Sequence, residues 1–355
     1  MKRSSSHLIL ASAGSYPRTG AAPEMRDLDD TLKAYESGAR TTADLVDAQN
    51  CMARRAIAEQ VDAGLEIITD GQVRWLDPIS HFTREMDNIR LDGTHTFPGA
   101  SQLYRQPILT GRPLRRGSLI THEYAFARNA LGNLPTPRGK AGKLSIKPVL
   151  TGPYTLAKFS SADSSAREAS ESFSSLAHRV EAFAEALAAE VASLAREGAD
   201  IIQIDEPAIA AFPEDFSLFA EGLAALAAAR DAAAADSRRS ILALYVYWND
   251  ATPLYGSLQD LPVDLLGLDF ASSPGLADAV VSSGSSKSLA FGFVSGQNPT
   301  LEDAAAIAKQ IERLLPRIPG GRAHLGTSCG LGQLSHAEAS AKLALLSRIQ
   351  SLVLG

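Results

Sequence analysis

The sequence predicts a single (β/α)8 barrel, and two observations lead to this fold class. Short segments rich in β-branched and apolar residues alternate with long Ala-rich segments, and the alternation continues to the C-terminus. Eight of the short segments have the length and composition of strands, which is the number that the barrel requires. These segments are Leu8–Ser15, Leu65–Asp70, Leu144–Thr151, Ala199–Asp205, Ser240–Tyr247, Leu265–Phe270, Leu289–Ser295 and His324–Cys329.

The Ala-rich segments repeat their apolar residues with the period of an α-helix. Two of them have start signals: Thr300 precedes Glu302 and Asp303, and Ser335 precedes Glu338 in the pattern of a capping box. A doubly wound open sheet is the main alternative, but no glycine-rich phosphate loop follows the first strand. The predicted helices are Thr42–Ala63, Ala166–Arg196, Phe216–Ala235, Leu301–Leu315 and His336–Leu354.

An unusually long connection separates the second and third predicted strands. Residues 86–137 contain Gly and Pro breaks and short alternating runs such as Ser118–Tyr124, which predicts a β-rich insertion within one domain spanning residues 1–355. Loops at this end of barrel strands build active sites, so we expect the insertion to act as a lid or substrate wall. A cluster of four arginines in this segment favours a solvated face over an anion site: Arg105, Arg112, Arg115 and Arg116.

The composition is that of a globular protein, with 45% hydrophobic and 21% charged residues among 355. A net charge of −6 without a basic, aromatic-rich stripe argues against nucleic-acid binding and favours a small-molecule partner. The two cysteines, Cys51 and Cys329, are too distant in sequence to suggest a disulfide framework. Residues 1–14 lack the apolar core of an export signal and no segment has the length of a membrane span, so we expect a cytoplasmic protein.

Polar residues at the C-terminal ends of barrel strands are the best candidates for chemistry. Asp205 and Glu206 are adjacent acids at the end of an apolar strand, and Gln203 shares the inward parity of Asp205. One carboxylate is expected to bind a substrate ammonium or act as a base, while the other pairs structurally. The remaining candidates at strand ends are Ser15, Asp70 with Gln72 and Arg74, Tyr245 with Tyr247, Asp269 and Cys329.

Cys329 ends the last strand and is followed by Gly330 and Gly332, which allow a ligand to approach the backbone closely. Its position at a strand end favours a nucleophile or metal ligand over core packing. The seven histidines do not form a metal-ligand spacing. Among them, His81 and His122 are the candidates for a position facing the barrel mouth.

Four motifs at the ends of predicted strands carry a resemblance to a known family: Gly14–Pro17, Thr69–Trp75, Leu150–Leu156 with Gln203–Pro207, and Ser328–Leu331. Together they resemble the catalytic barrel of cobalamin-independent methionine synthase, in the superfamily that also holds uroporphyrinogen decarboxylase. The resemblance extends over nearly the whole chain, in the right order. It implies binding of homocysteine and of a zinc ion that holds the substrate thiol as thiolate.

The resemblance also implies which residues hold the zinc: a His-x-Cys pair after strand five, a Glu after strand six and a Cys after strand eight. Cys329 matches the last ligand, and Asp269 stands where the Glu belongs. Tyr245 and Tyr247 stand where the His and Cys belong, and neutral phenols are poor zinc ligands. We therefore expect a degenerate zinc site.

By the same resemblance, Ser15 binds the substrate carboxylate, and Asp205 binds the amino group together with a Glu that is Gln72 here. The change from Glu to Gln removes a charge from the expected clamp. The chain resembles the short core forms of the family, so the methyl donor is either a methyl-folate or a methylated corrinoid protein.

The leading hypothesis is methyl transfer to homocysteine or to a related small thiol or amino-acid-like substrate. If zinc is absent, a zinc-independent group transfer or C–S bond cleavage is the alternative, with Asp205 as base, Tyr245 and Tyr247 as donors, and Cys329 as nucleophile or pocket wall. Trp248 is then a stacking platform for a flat ligand. The second class of hypothesis is a homologue that binds a ligand without catalysis. A porphyrinogen decarboxylase ranks last, because it needs arginines for several propionate groups and the barrel mouth offers only Arg18 and Arg74.

Overall fold

The computed structural model describes residues 7–135, 144–165, 171–234 and 238–355. Within these ranges the strands are β1 (His7–Leu10), β2 (Ile67–Ile68), β3 (Met86–Thr96), β4 (Leu103–Arg115), β5 (Ser145–Ile146), β6 (Val149–Thr151), β7 (Ser161–Ala162), β8 (Ile201–Asp205), β9 (Ile241–Val246), β10 (Leu265–Leu268), β11 (Ser288–Val294) and β12 (Arg322–Thr327). The α-helices are α1 (Pro23–Glu36), α2 (Thr42–Asp62), α3 (Ser80–Thr83), α4 (Thr121–Gly132), α5 (Pro153–Lys158), α6 (Leu176–Arg196), α7 (Ala208–Ala211), α8 (Phe216–Ala233), α9 (Tyr255–Leu258), α10 (Leu276–Ser283), α11 (Ala304–Leu314) and α12 (His336–Leu354).

Every one of the eight predicted strand segments overlaps a strand, and β1, β11 and β12 begin one or two residues earlier than predicted. The third segment is split into β5 and β6 around Lys147 and Pro148, because proline has no N–H with which to continue the ladder. Most strands also end before the polar residues that follow them: β10 ends ahead of Asp269, and β12 ends ahead of Cys329. These candidate residues therefore lie in the loops that leave the sheet.

The long predicted helices are present, with two errors near their starts. The segment predicted as one helix from Ala166 to Arg196 is not helical at Ser174 and Ser175, and α6 begins at Leu176. Ser335 forms the predicted capping box with Glu338 and begins α12. Thr300 does not cap a helix, because Asp303 accepts hydrogen bonds from the N–H groups of two following residues and α11 begins at Ala304. Parts of three predicted segments lie outside the described residues: 166–170, 235 and the last two positions of 86–137.

The chain divides into two compact units. The first unit comprises residues 1–74, 123–146 and 290–355. In it, β1 pairs in parallel with β12, β11 lies beside β12, and β2 pairs in parallel with β5. Helix α12 packs against β1 and β12, and its fully buried Ile349 belongs to the same core as Leu10 and Leu325.

The second unit comprises residues 75–122 and 147–289. Its parallel strands lie in the order β6, β8, β9, β10. The register places Thr151, Asp205 and Tyr245 beside one another on three neighbouring strands, and Gly267 beside Tyr245 on the fourth. Parallel strands end at one edge, so the residues that follow them gather there.

The predicted insertion is β-rich at its start and helical afterwards. Strands β3 and β4 form an antiparallel hairpin, and β4 pairs in parallel with β7. The segment from Ser118 to Tyr124, taken for an alternating strand, instead leads into α4, so that part of the prediction was wrong. Of the four arginines singled out in it, three pair with carboxylates, in the pairs Arg112–Glu185, Arg115–Glu190 and Arg116–Asp87.

Glu190 explains why the chain turns into a helix at this point. Its carboxylate, fully buried, accepts hydrogen bonds from the backbone N–H groups of Leu119, Ile120 and Thr121 and pairs with Arg115 at 2.6 Å. Burial opposes ionisation, but the hydrogen bonds from Leu119 and Ile120, together with Thr121 and Arg115, outweigh it and lower the pKa of Glu190. A negative charge therefore satisfies the N–H groups at the start of α4.

We expect Glu190→Ala to lower the free energy of unfolding by about 3 kcal/mol, because Arg115 and three N–H groups lose their buried acceptor. Since the folded pKa of Glu190 lies below the unfolded value, its contribution is complete above about pH 4.5 and is lost as the pH falls through the folded pKa. Urea unfolding at a series of pH values measures both effects. Glu181→Ala, an exposed change on the same helix, is the control, and equal losses in the two variants contradict the assignment.

Candidate active site

Asp205, the last residue of β8, is the centre of a buried polar cluster in the second unit. Gln203 donates from its amide nitrogen to Asp205 Oδ1 at 2.6 Å, and the hydroxyl of Tyr247 donates to Asp205 Oδ2 at 3.0 Å. Gln203 and Asp205 are two residues apart on one strand and therefore share a face. The predicted inward parity of this pair accounts for their contact.

Burial raises the pKa of Asp205 to about 7, although the hydrogen bonds from Gln203 and Tyr247 and the charge of Lys147 act in the opposite direction. A carboxyl group that gains and loses a proton near neutral pH is suited to general acid–base chemistry. Asp205 therefore combines the position and the proton affinity expected of a base.

Lys147 is the residue of this cluster that the sequence analysis missed. It lies between β5 and β6, only 2% exposed, and its ammonium donates to the Tyr245 hydroxyl at 3.2 Å. Its Nζ also lies 4.4 Å from the centre of the Tyr245 ring. Burial lowers the pKa of Lys147 to about 7, while Asp205 acts to raise it. A lysine within an apolar strand segment was the available signal, because lysine is almost never fully buried without a partner.

A glycine on the neighbouring strand makes room for Tyr245. A Cβ atom at Gly267 would lie 2.5 Å from carbon atoms of the Tyr245 ring. Only a residue without a side chain fits there, so the ring lies across β10 with its hydroxyl held by Lys147.

Aromatic rings continue from Tyr247 to the tip of the β3–β4 hairpin. Trp248 contacts Tyr247 at 4.8 Å and Phe97 at 5.0 Å between ring centres, and Phe97 also packs on Phe159. The side chain of Asn249 donates to the carbonyl oxygen of Pro98 at 3.1 Å. The hairpin tip is thus fixed against the loop after β9, a position that suits the predicted substrate wall.

Trp248 has a φ of 76°, which costs a non-glycine residue about 1 kcal/mol or more. Asp269 helps to hold this strained turn, since its carboxylate accepts from the N–H groups of Trp248 at 3.1 Å and Ser272 at 2.8 Å. Burial raises the pKa of Asp269 against these hydrogen bonds. Its carboxylate therefore fastens the loops that follow β9 and β10.

Glu206, like Asp269, accepts hydrogen bonds from backbone N–H groups. Its fully buried carboxylate accepts from the N–H groups of Tyr154 at 3.0 Å and Thr155 at 2.7 Å, and from the Thr155 hydroxyl at 2.6 Å. These bonds satisfy the first turn of α5. Of the adjacent acids, Glu206 is thus the one that pairs structurally, and its predicted contact with substrate stays a prediction.

Ser15 and the loop after Cys329 form a second polar cluster, in the first unit. The N–H of Leu331 donates to the Ser15 carbonyl at 2.7 Å, and the N–H of Gly332 donates to Ser15 Oγ at 3.2 Å. Cys329 is buried and forms no disulfide. A Cβ atom at Gly330 would lie 2.2 Å from Ser15 Oγ, so the glycine is what permits this approach.

The motif that contains Gln72 and Arg74 lies in the same unit. Gln72 has a φ of 52°, and its N–H is held by Asp70 at 2.9 Å. Arg74 donates to Asn50 at 2.7 Å and lies over the ring of Phe126 at 4.9 Å. The guanidinium is thus occupied by α2 and α4, and its predicted role in substrate binding stays a prediction.

His81 lies in α3 of the second unit and is buried among aromatic rings. It stacks on Trp75 at 4.9 Å and meets the edge of Phe82 at 5.4 Å, while its Nδ1 lies 3.3 Å from Arg84. This environment fixes the imidazole by packing. Its assignment to the substrate site is likewise still a prediction.

The residues present do not fit the zinc site that the resemblance implied. In the part of the chain that the structure describes, no group of three or more His, Cys, Asp or Glu side chains is placed to hold a metal ion. The hydroxyls of Tyr245 and Tyr247 interact with Lys147 and Asp205. Zinc sites use thiolate, imidazole and carboxylate ligands, and two neutral phenols do not replace them.

A family model for the catalytic domain of cobalamin-independent synthases matches residues 8–350. The chain belongs to this family. A methionine synthase of Methanothermobacter marburgensis is 28% identical over 95% of this chain and 97% of its own length. A methionine synthase of Saccharolobus solfataricus is 25% identical over 93% of this chain and 90% of its own. The predicted resemblance is therefore confirmed.

Among solved structures, a B12-independent methionine synthase from Shewanella sp. W3-18-1 in complex with selenomethionine superposes with a TM-score of 0.75, at 20% identity and 98% coverage of both chains. This likeness confirms the predicted (β/α)8 fold class. The predicted enzyme class, a methyltransferase of the cobalamin-independent methionine synthase family, is confirmed by the family and its named members. None of the helices in the described residues is long and apolar enough to cross a membrane.

We expect Gly330→Ala to lower the free energy of unfolding by about 2 kcal/mol, because the new methyl group overlaps Ser15 Oγ and forces the two loops apart. Cys329, which lies beside Gly330, should also react faster with a thiol reagent. Gly117→Ala is the matched control, since no atom lies within 4 Å of the Cβ position there. Wild-type stability and thiol reactivity in Gly330→Ala would show that this close approach is unimportant.

Proposed function

We propose that this methionine-synthase-family enzyme transfers a methyl group to the sulfur of homocysteine or of a closely related small amino-acid thiol. The observation that carries the proposal is Asp205, a buried carboxylate at the end of β8 in a chain that matches the family over residues 8–350. Its hydrogen bonds from Gln203 and Tyr247 fix the carboxylate orientation. A carboxylate can accept further hydrogen bonds, so a substrate ammonium can join these two donors.

The substrate class is supported by the family and by the named relatives, which are methionine synthases. The solved relative from Shewanella contains selenomethionine, the selenium counterpart of the expected product. In our proposal Asp205 contacts the substrate. That Ser15 binds the substrate carboxylate, and that Gln72 assists at the amino group, stay predictions of the family resemblance. Trp248 and Phe97 supply an apolar wall for the substrate or for the methyl donor.

The reaction requires that the thiol lose its proton while the S–C bond forms. The bond between the methyl carbon and the donor breaks, and its electron pair leaves with the donor. Asp205 is the base in this scheme, because its pKa of about 7 allows it to accept a proton near neutral pH. We propose a methyl-folate or a methylated corrinoid protein as the donor class. We also propose a cytoplasmic location, which a chain with only two cysteines, far apart in sequence, suits.

A second candidate is a zinc-independent group transfer or C–S bond cleavage at the same residues. The contacts of Tyr245 with Lys147 and of Tyr247 with Asp205 favour it, because they supply proton donors and acceptors without a metal. Incubation with cystathionine-like thioethers, followed by detection of the released thiol, separates this reaction from methyl transfer. A homologue that only binds its ligand gives saturable binding and no product.

Methyl transfer is tested with L-homocysteine and three donors carrying a 13C-labelled methyl group: methyl-tetrahydrofolate, its polyglutamyl form and methylcobalamin. We expect labelled methionine with at least one donor, and a decrease in kcat/KM of about 100-fold or more in Asp205→Asn, which removes the base. Asp200→Asn, at the opposite end of the same strand region, is the matched control with wild-type activity. No methionine with any donor, or full activity in Asp205→Asn, contradicts the proposal.

A further inference from the structure

The loop that leaves β11 is held by a buried ion pair in the first unit. Residues 295–303 connect β11 to α11, and we call them the β11 loop. Lys342, on α12, is fully buried, and its ammonium lies 3.0 Å from both carboxylate oxygens of Glu302. It also donates to the carbonyl oxygen of Thr300. An ammonium has three donors, so Lys342 directs all of them to this one loop.

Glu302 connects Lys342 to the start of the same loop. Its Oε1 accepts from the N–H of Ser295 at 2.8 Å. Ser295 Oγ in turn accepts from the N–H of Gln297 at 3.2 Å and from the side chain of Asn298 at 3.1 Å. The two ends of the β11 loop are thus joined as in an Ω-loop, a kind of compact surface loop that frequently carries function.

The first residues of the β11 loop lie directly on Cys329. The N–H of Gly296 donates to Ser328 Oγ at 3.2 Å. A Cβ atom at Gly296 would lie 2.6 Å from the carbonyl oxygen of Cys329 and 2.9 Å from its Sγ. Only a residue without a side chain fits there, and Cys329 is 3% exposed. The position of the β11 loop therefore decides whether this thiol is accessible.

The charge of Lys342 is not needed to pack α12. The neighbouring core positions Leu343, Leu346 and Ile349 are apolar, and an apolar side chain of similar length would fill the place of Lys342. Lysine is almost never fully buried unless it is paired. Here the partner is a loop whose residues 297–301 are exposed and have little core contact of their own. The ion pair therefore supplies what apolar packing cannot supply to this loop.

We infer that Lys342 and Glu302 are positioning residues that hold the β11 loop closed over the thiol of Cys329. Neither side chain has to touch a substrate for this role. The closed loop limits access to the thiol and keeps Gly296 in contact with it. The consequence for catalysis rests on the proposed methyl transfer, whereas the position of the loop does not.

The position of the loop is tested by alkylation of Cys329 in a Cys51→Ser background, in which it is the only thiol. We expect iodoacetamide to react at least about tenfold faster in Lys342→Met and in Glu302→Ala, because Ser295 loses its link to α12. The double variant should react no faster than the faster single variant, since both residues act through one link. Reactions with and without a chelator separate this effect from protection by a bound metal.

Lys309→Met and Glu312→Ala, two exposed changes on α11, are the matched controls and should react at the wild-type rate. Gly296→Ala is the positive control, because its methyl group overlaps Cys329 and displaces the loop without touching the ion pair. Hydrogen exchange distinguishes opening of the loop from general destabilisation. In Lys342→Met, peptides covering the β11 loop should exchange faster while β1 keeps its wild-type rate.

Three outcomes overturn the inference. Wild-type alkylation rates in both single variants show that the ion pair does not hold the loop. Additive effects in the double variant show that the two residues do not act through one link. Equal acceleration of hydrogen exchange in the β11 loop and in β1 shows that the pair stabilises the whole unit instead of positioning the loop. None of these results depends on methyl transfer.

The catalytic consequence is measured with homocysteine and the methyl donor that gives product. Cys329 is predicted to line the pocket, so a displaced loop should weaken substrate binding while the base, Asp205, is unchanged. We expect KM for homocysteine to rise about fivefold in Lys342→Met, with kcat within about twofold of the wild type. Unchanged KM overturns this consequence. Failure of the wild type to form methionine refutes the proposed function instead, and leaves alkylation and hydrogen exchange to decide the position of the loop.

Discussion

The buried charges of Lys147 and Asp205 are the constraint around which this half of the protein is organised. Each group is buried away from water, so each needs hydrogen-bond partners from the protein itself. Tyr245 near the end of β9 and Tyr247 just after it meet this need, the first by accepting from Lys147 and the second by donating to Asp205. Gly267 then has to be a glycine, because the ring of Tyr245 occupies the space of a side chain there.

The other acids at the strand ends show how the structure selects one carboxylate for chemistry. Glu206 and Asp269 accept hydrogen bonds from backbone N–H groups and thereby hold the first turn of α5 and the strained turn at Trp248. Asp205 is bound by side chains instead. Because a carboxylate that satisfies backbone groups cannot leave them without a large energetic cost, Asp205 is the acid best able to exchange partners with a substrate.

The strand positions were predictable because the strands of a barrel are short apolar runs separated by helical segments, and each run is visible by itself. The choice between neighbouring residues that can each cap a helix was less predictable. Asp303 rather than Thr300 caps α11, since two residues with capping ability stand close together and only the backbone path decides between them. The start of α4 depends on Glu190, which lies about 70 residues away in the sequence, so no local pattern near Ser118 could reveal the helix.

The sequence by itself determined the family and the barrel, because each depends on residue identity at recognisable positions. It also marked Asp205 as a candidate and placed Tyr245 and Tyr247 where the resemblance expects a His and a Cys. Only the tertiary structure decided which acid is structural, that Tyr247 donates to Asp205, and that Lys147 lies against Tyr245. The physical reason is that the register of parallel strands, not sequence distance, brings these groups together. Lys147 and Tyr245 are 98 residues apart in the chain. They meet because β6, which begins just after Lys147, and β9, which carries Tyr245, lie in one sheet with β8 between them.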